Sequence, residues 1–269
     1  MSVWPGKILI IGCGNMGGAM LAGWLAGGLA PSRFTVVDPK LEAAPAGVEL
    51  LRDLPEGRVF DALLLGVKPQ MLDAVAPTLT ALAGPHTVVV SILAGGELAS
   101  LRARFPAAKA VVRVMPNLAA AVGKSPMGVA AEGLDEAGRA AVSAFLAPLG
   151  TPEWVGEDQF DAVTALAGSG PAFVYRFIDA LAAGGAALGL PAEQALRLAL
   201  ATVDGAAALA KASPHDPGEL ARRVASPGGT TEAGLKVLDA DSAIARLVAA
   251  TLQAAATRSA EMAAAARGQ

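Results

Sequence analysis

The chain has 269 residues, 54 % of them hydrophobic and only 17 % charged, with a net charge of −3. That length can bury a substantial core in one large or two modest domains, and the mild negative charge leaves no electrostatic footprint for nucleic acid or an anionic membrane. The single cysteine, Cys13, excludes an intrachain disulfide framework, and no Cys/His cluster has metal-ligand spacing, so a metal-free protein of the reducing cytoplasm is expected.

Hydropathy raises a membrane reading, which the glycines answer. Ile8 to Ser32 is uncharged but carries seven patterned glycines and Asn15, and Ala74 to Gly96 is broken by Pro77 and Gly84-Pro85. Neither stretch makes an unbroken span, so no membrane insertion is expected.

In the first half, short aliphatic runs alternate with helix-compatible stretches, the mark of βαβ units and a parallel sheet. Strands are predicted at Lys7–Ile11, Phe34–Val37, Ala62–Val67, Thr87–Ser91, Ala110–Val114 and Pro126–Ala131, with a short last one at Glu153–Val155. Helices are predicted between them, for example over Gly17–Ala26 and Glu136–Leu146. The first strand runs into Gly12-Cys13-Gly14-Asn15-Met16-Gly17, a G-x-G-x-x-G in the strand-to-helix context that the dinucleotide fingerprint requires. Gly12 would make the tight turn, Gly14 would admit a pyrophosphate, and Gly17 would let the helix pack on the strand. Asp38, 21 positions after Gly17, ends the second strand, where a carboxylate can accept from the adenosine ribose and favour NADH. Two readings stay open beside it: Lys40 meeting a 2′-phosphate, and Asp38 simply starting an Asp-Pro turn. Val67-Lys68-Pro69-Gln70, Ser91-Ile92-Leu93-Ala94-Gly95 and Arg113-Val114-Met115-Pro116-Asn117 then fall at the carboxyl ends of three successive strands, where open parallel sheets meet their ligands.

Beyond Gly156 the texture changes. Alanine dominates, and apolar residues recur at helical spacing through Ala172–Leu188, Ala192–Lys211 and Ser242–Ala266. The predicted architecture is an α/β Rossmann domain with a doubly wound, mainly parallel sheet over residues 1–156, followed by an all-α domain over 157–269. Large side chains are few in the helical half, which favours burial against another subunit or onto the first domain. Its one interruption of note is Ser226-Pro227-Gly228-Gly229-Thr230-Thr231, whose hydroxyls and exposed amides can cradle a small carboxylate or amine without a charged side chain. Taken alone it also reads as an inter-helix turn.

The chemistry is narrowed by what is missing. Reducing a ketone needs a proton donor for the developing alkoxide, yet His86 and His215 sit before a strand and in a proline-rich turn. No nucleophile elbow, carboxylate dyad or phosphate-binding loop of the NTPase type occurs. A protonated C=N substrate already carries its proton, so glycine amides, hydroxyls and a hydride donor suffice.

On GCGNMG (12–17), VKPQ (67–70), SILAG (91–95), RVMPN (113–117), EDQFDAVTALAGSGPAF (157–173) and SPGGTTEAGL (226–235), the chain resembles the pyrroline-5-carboxylate reductases over nearly its whole length. The resemblance implies NADPH- or NADH-dependent reduction of 1-pyrroline-5-carboxylate to L-proline and a helical domain that interlocks with a second copy, as a dimer that often builds decamers. Carried over by position, Gly12, Cys13, Gly14, Asn15, Met16, Gly17, Val67, Lys68 and Pro69 would hold the dinucleotide. Ala94, Gly95 and Asn117 would lie near the nicotinamide, with Asp38 and Asp53 facing the adenosine end. Ser226 and the amides of Gly228, Gly229, Thr230 and Thr231 would bind the substrate carboxylate. The Thr231 hydroxyl would take the catalytic part, holding the ring nitrogen, and Glu157 matches a position near that nitrogen. Gly168-Ser169-Gly170-Pro171 would start the long helix beneath the site. One departure stands out: Leu118-Ala119 replaces the family's usual Thr-Pro, which would loosen Asn117 or alter the seating of the cofactor. Two rival functions are a related imine or β-hydroxyacid reductase, the latter disfavoured because 169–176 offers no lysine, and a non-catalytic dinucleotide sensor.

Overall fold

A computed structural model describes residues 4–267. Its strands are β1 (Ile8–Ile11), β2 (Phe34–Val37), β3 (Glu49–Leu51), β4 (Ala62–Leu65), β5 (Val88–Ser91), β6 (Ala110–Met115), β7 (Ser125–Glu132) and β8 (Gly150–Trp154). They form one sheet in the order β3-β2-β1-β4-β5-β6-β7-β8. All neighbours run parallel except β6 and β7, which are antiparallel. The helices are α1 (Asn15–Ala26), α2 (Leu72–Leu79), α3 (Leu98–Arg104), α4 (Glu136–Leu146), α5 (Phe160–Val163), α6 (Gly170–Ala187), α7 (Ala192–Ala212), α8 (Pro217–Val224), α9 (Thr230–Asp239) and α10 (Ala243–Arg267). A π-helical turn, Thr164–Gly168, joins α5 to the residues before α6.

The sheet is buried on both faces because its central strands are continuous aliphatic runs. Along β1, Ile8 and Ile10 enter the layer that holds Trp24, Phe34 and Phe145, while Leu9 and Ile11 enter the opposite layer with Leu72, Leu101 and Phe105. This is the two-residue period of a strand dividing one hydrophobic run between two cores. Trp24 stacks on Phe145 at 4.5 Å and donates its ring N–H to the Phe145 carbonyl at 2.8 Å, so α1 and α4 share one layer.

The predicted strands are present with small differences at their ends. The strand prediction differs in two respects. β8 begins at Gly150, three residues before the predicted Glu153, and β3 is an additional edge strand whose half-exposed Glu49-Leu50-Leu51 carries no strong hydrophobic pattern.

The chain divides into two compact units. One runs to Ser169 and takes up the chain again from Ala254; the other comprises Gly170–Gln253. The second unit is helical and has little core: Ala195 and Ala199 are its only buried residues among those described. Within it Gly185 lies against Ala195, where an added Cβ would be 3.4 Å from the alanine methyl, so α6 and α7 approach closely through small residues.

Candidate active site

The first loop of the sheet is shaped around three glycines that serve different ends. Gly12 has φ +83°, donates to the Val37 carbonyl at 2.9 Å, and would bring a Cβ to 3.0 Å from the Gly66 carbonyl. Gly17 would place a Cβ 2.8 Å from the Gly12 oxygen, so only glycine lets α1 pack back on the strand end. Gly14 is the exception: a Cβ there would meet nothing within 4 Å. No described residue gives a packing reason to leave that position bare. Gly14 is also the N-cap of α1, with no side-chain cap and no acidic residue in the first turn. The loop therefore presents open space to uncapped first-turn amides, the arrangement that receives a phosphate. This loop fits a dinucleotide pyrophosphate. Asn15 is exposed and Met16 half-buried beside it.

Asp38 is tied into the same loop. Its Oδ2 accepts from the Cys13 N–H at 2.8 Å, and its Oδ1 from the Lys40 and Leu41 N–H groups at 2.8 and 3.2 Å. Burial works against ionisation, but these three amides and the Arg52 guanidinium outweigh it and hold the carboxyl below its ordinary range. The Asp-Pro turn and a ribose-facing carboxylate are thus compatible, since Oδ2, which accepts only from Cys13, keeps a second lone pair. Burial, helped by the charge of Asp38, pushes the Cys13 thiol up to about 11, so it is inert at neutral pH. Asp53 is exposed two residues beyond β3, the neighbour of β2, and the Lys40 side chain is also exposed.

The sheet order puts the next three segments side by side at the carboxyl ends of β4, β5 and β6. Val67 and Pro69 are half-buried and Lys68 is exposed. Ala94 is half-buried, and Gly95 is buried at φ +77° against the Met262–Ala263 backbone of α10, where a Cβ would stand at 3.3 Å. Beside them a cleft of about 270 Å3 is lined by residues that include Gln70, Asp73, Ala94, Gly95, Arg104 and Arg258.

Asn117 is only 3 % exposed, and its groups are engaged on every side. Its N–H donates to Ser125 Oγ at 2.9 Å, its Oδ1 accepts from the Ala119 N–H at 2.9 Å, and its Nδ2 donates to the Ala167 carbonyl at 2.8 Å. The last acceptor has a covalent origin. Pro171, four residues after Ala167, has no N–H to continue the helix, so the carbonyl is left for Asn117. Glu157 is held near this segment by Arg113, with Nη1 to Oε1 at 2.8 Å, and the same oxygen accepts from the Leu98 N–H at 3.1 Å.

The helical unit holds the other loop. Ser226 O accepts from the Gly229 N–H at 2.9 Å, with Pro227 and Gly228 between them and Gly228 at φ +71°, the pattern of a type II turn. The turn delivers Gly229 as the N-cap of α9, so Thr230 and Thr231 form its exposed first turn. Gly228 N–H is already taken, by Glu232 Oε2 at 2.8 Å. The amides this loop leaves free for an anion are accordingly those of Thr230 and Thr231, whose N–H groups have no carbonyl one turn back within the helix. Of the histidines, His86 is exposed and His215 half-buried.

Comparison with known proteins places this architecture. A family described as pyrroline-5-carboxylate reductase dimerisation matches residues 157–262, and one described as NADP oxidoreductase, coenzyme F420-dependent, matches residues 7–95. The pyrroline-5-carboxylate reductase of Pseudomonas aeruginosa is 38 % identical over 96 % of this chain and 97 % of its own. The chain belongs to the pyrroline-5-carboxylate reductase family. A solved member from Coxiella burnetii superposes with a TM-score of 0.88 at 31 % identity, over 96 % of this chain and 98 % of that one. The Plasmodium falciparum pyrroline carboxylate reductase, solved with NADP bound, shares the fold with a TM-score of 0.83 at 24 % identity, covering 96 % and 98 % of the two chains.

For a pyrroline-5-carboxylate reductase with Leu118-Ala119 in place of Thr-Pro, the expected loosening of Asn117 does not occur. A proline at 119 has no N–H, whereas Ala119 donates to Asn117 Oδ1 and closes the turn by a hydrogen bond instead of a ring. Three participants escaped the sequence reading. Gly66 has no room for a Cβ, which would lie 2.4 Å from the Gly12 oxygen, and its place directly after β4 was the only clue. Glu232 is recognisable after the fact as the third helical residue of a capping pattern. Arg113 falls within RVMPN, but its partner lies 44 residues away, beyond any local signal.

Proposed function

We propose that this chain reduces the C=N bond of 1-pyrroline-5-carboxylate to give L-proline, with NADPH or NADH as reductant. The observation that carries the cofactor half is Gly14, bare without internal cause at the uncapped start of α1. Gly12 through Gly17 with Val67, Lys68 and Pro69 would hold the dinucleotide, Asp38, Lys40 and Asp53 its adenosine end, and Ala94, Gly95 and Asn117 the nicotinamide end. When bound, the reduced nicotinamide supplies the hydride.

The remaining work falls to the loop into α9. The Thr230 and Thr231 amides, with the Ser226 hydroxyl and the turn of Gly228 and Gly229, bind the substrate carboxylate at the positive end of the helix dipole. The Thr231 hydroxyl then hydrogen-bonds the ring nitrogen and fixes the orientation of the imine. Holding reactants in line in this way contributes on the order of 7–11 kcal/mol in favourable cases. No side-chain acid is required at the accepting carbon, because the protonated imine becomes a neutral amine on reduction. The absence of a well-placed histidine is consistent with that economy.

The helical unit we read as the self-association surface of a dimer, with a decamer as the larger assembly. Tyr175, Leu188, Leu198, Leu209 and Leu247 are between 51 and 90 % exposed in the single chain, and surfaces this apolar mark an interface. Among the described residues no helix is long and apolar enough to cross a membrane, and the lone buried thiol suits the reducing cytoplasm. The direct test follows the absorbance of NADH and NADPH with racemic pyrroline-5-carboxylate and assays proline. Rapid oxidation with equimolar proline is the expected result, and cofactor binding without oxidation would sink the enzymatic reading.

A further inference from the structure

We propose that Arg113 and Glu157 form a positioning pair that sets the spacing of the two loops at the nicotinamide end, and that Glu157 acts through this pair rather than by touching substrate. The inference rests on the reading that Ala94, Gly95 and Asn117 face the nicotinamide.

Three segments converge on the pair. Arg113 lies on β6, level with Ser91 on β5 and four residues before Asn117. Its guanidinium stands 3.9 Å over the ring of Phe160, which is 1 % exposed, and its Nη1 reaches Glu157 Oε1 at 2.8 Å. The same Glu157 oxygen caps the Leu98 N–H, the first amide of α3 and three residues after Gly95. One carboxylate oxygen therefore links the end of the Ala94-Gly95 loop, the strand leading to Asn117 and the helical segment at 157–160. Asn117 itself is bonded to Ala167, farther along that last segment, so the links form a closed ring of short contacts.

The form of the pair argues for placement over stability. Arg113 is 3 % exposed, yet its contact with Glu157 is end-on, and Arg113 Nε and Glu157 Oε2 are both buried without a partner among the described residues. The Glu157 side chain is 35 % exposed, so the pair is half-buried with unmatched atoms; such a pair is a poor source of stability, and well-packed apolar groups of similar volume often replace one at no loss. What such groups cannot supply is the acceptor for Leu98 and the directional tether between the loops. A hydride transfer is sensitive to that placement, since a displacement near 1 Å can cost about 10²-fold in rate.

The experiment compares the full-length wild type with Glu157→Gln, Arg113→Lys and the apolar double variant Arg113→Met/Glu157→Leu. It measures thermal midpoint, NADH affinity and bound-state emission by fluorescence, kcat, KM, and the isotope effect with NADH deuterated at the transferred position. The double variant is expected to melt within a few degrees of wild type and bind NADH within about threefold. Its kcat should fall on the order of 10- to 100-fold, with a larger isotope effect and altered emission of bound NADH. Glu157→Gln, which keeps an acceptor for Leu98, should recover part of the rate. A double variant with wild-type kcat and isotope effect overturns the proposal, as does a rate loss explained by unfolding. A KM for substrate that rises with kcat unchanged would return Glu157 to direct substrate contact and overturn it too. Should wild type itself fail to oxidise NADH, the reductase reading falls, and unchanged emission of bound NADH in the double variant then overturns the positioning role independently.

Discussion

Thr231 and Asp38 show how one side chain can be asked a sharp question. If the Thr231 hydroxyl orients the imine, Thr231→Ala should lower kcat/KM about 10²-fold, the scale of removing one positioned donor. Thr231→Ser should retain most of it, and steady-state kinetics on the two variants separates hydroxyl from methyl. Asp38 carries two separable roles. If it faces the ribose, its charge would repel a 2′-phosphate, so Asp38→Ser should shift the NADPH/NADH ratio of kcat/KM toward NADPH by about tenfold or more. Within the protein its carboxyl is held below the ordinary value of about 3.9 by the Cys13, Lys40 and Leu41 amides against the cost of burial. Glu49 is lowered likewise, by the hydrogen bonds of Arg58 and Thr35. A lowered folded-state value means the unfolded chain takes up protons first. This stability is complete above the ordinary carboxylate range and is lost as pH falls through the lowered value. Thermal midpoints recorded from pH 6 to pH 3 should therefore drop below about pH 4, with a shallower acid slope in Asp38→Asn.

At the scale of elements, α1 is the piece on which the nucleotide loop depends. Gly23 lets it lie on the 118–122 turn: a Cβ there would be 2.0 Å from the Ala120 oxygen and 2.8 Å from Leu149 Cδ2. The backbone oxygen cannot yield as a side-chain tip would, so Gly23→Ala must push α1 away from the segment that follows Asn117. Overpacking of this kind costs about 1–3 kcal/mol, readable as a lower urea midpoint at unchanged m-value. Weakened cofactor binding should accompany it, because α1 carries the uncapped amides. Gly14→Ala is the contrast. No described residue opposes its methyl, so urea stability should stay near wild type while NADH affinity falls at least about tenfold, as measured by fluorescence titration.

For the molecule as a whole, the uneven distribution of core is the governing fact. The sheet is buried on both faces, whereas the helical unit leaves Tyr175, Phe177, Leu198 and Leu247 largely exposed. On the proposed dimer, a helical unit of that composition would gain its missing burial from a second copy. Sedimentation should give at least a dimer, and Phe177→Asp, placing a charge on the apolar face of α6, should shift the protein toward monomer and abolish turnover. Because association adds to stability by mass action, tenfold dilution should lower the wild-type melting midpoint by about 1–2 °C. A midpoint independent of concentration would argue against a coupled dimer.

The division between what was legible in the chain and what was not follows the range of the forces. β1, β2, β4, β5 and β6 were readable because runs such as Ile8–Ile11 bury both faces, and the glycine fingerprint because turn, approach and packing are settled within six residues. The long helices after Gly156 declared themselves by local period, and Ser226–Thr231 by its proline and glycines. By itself, then, the sequence determined the α/β-then-α order, the candidate cofactor loop and the candidate substrate loop. The antiparallel turn of β7, the weak edge strand β3, and the absent Cβ room at Gly23 and Gly66 were decided only in three dimensions. So were the partners of buried polar groups: Arg113 with Glu157, Asn117 with Ala167, Asp38 with Cys13. Each joins residues 25 to 50 positions apart. Local propensity carries no information about such pairs; they form because a buried donor or acceptor must find a partner once the chain has closed around it.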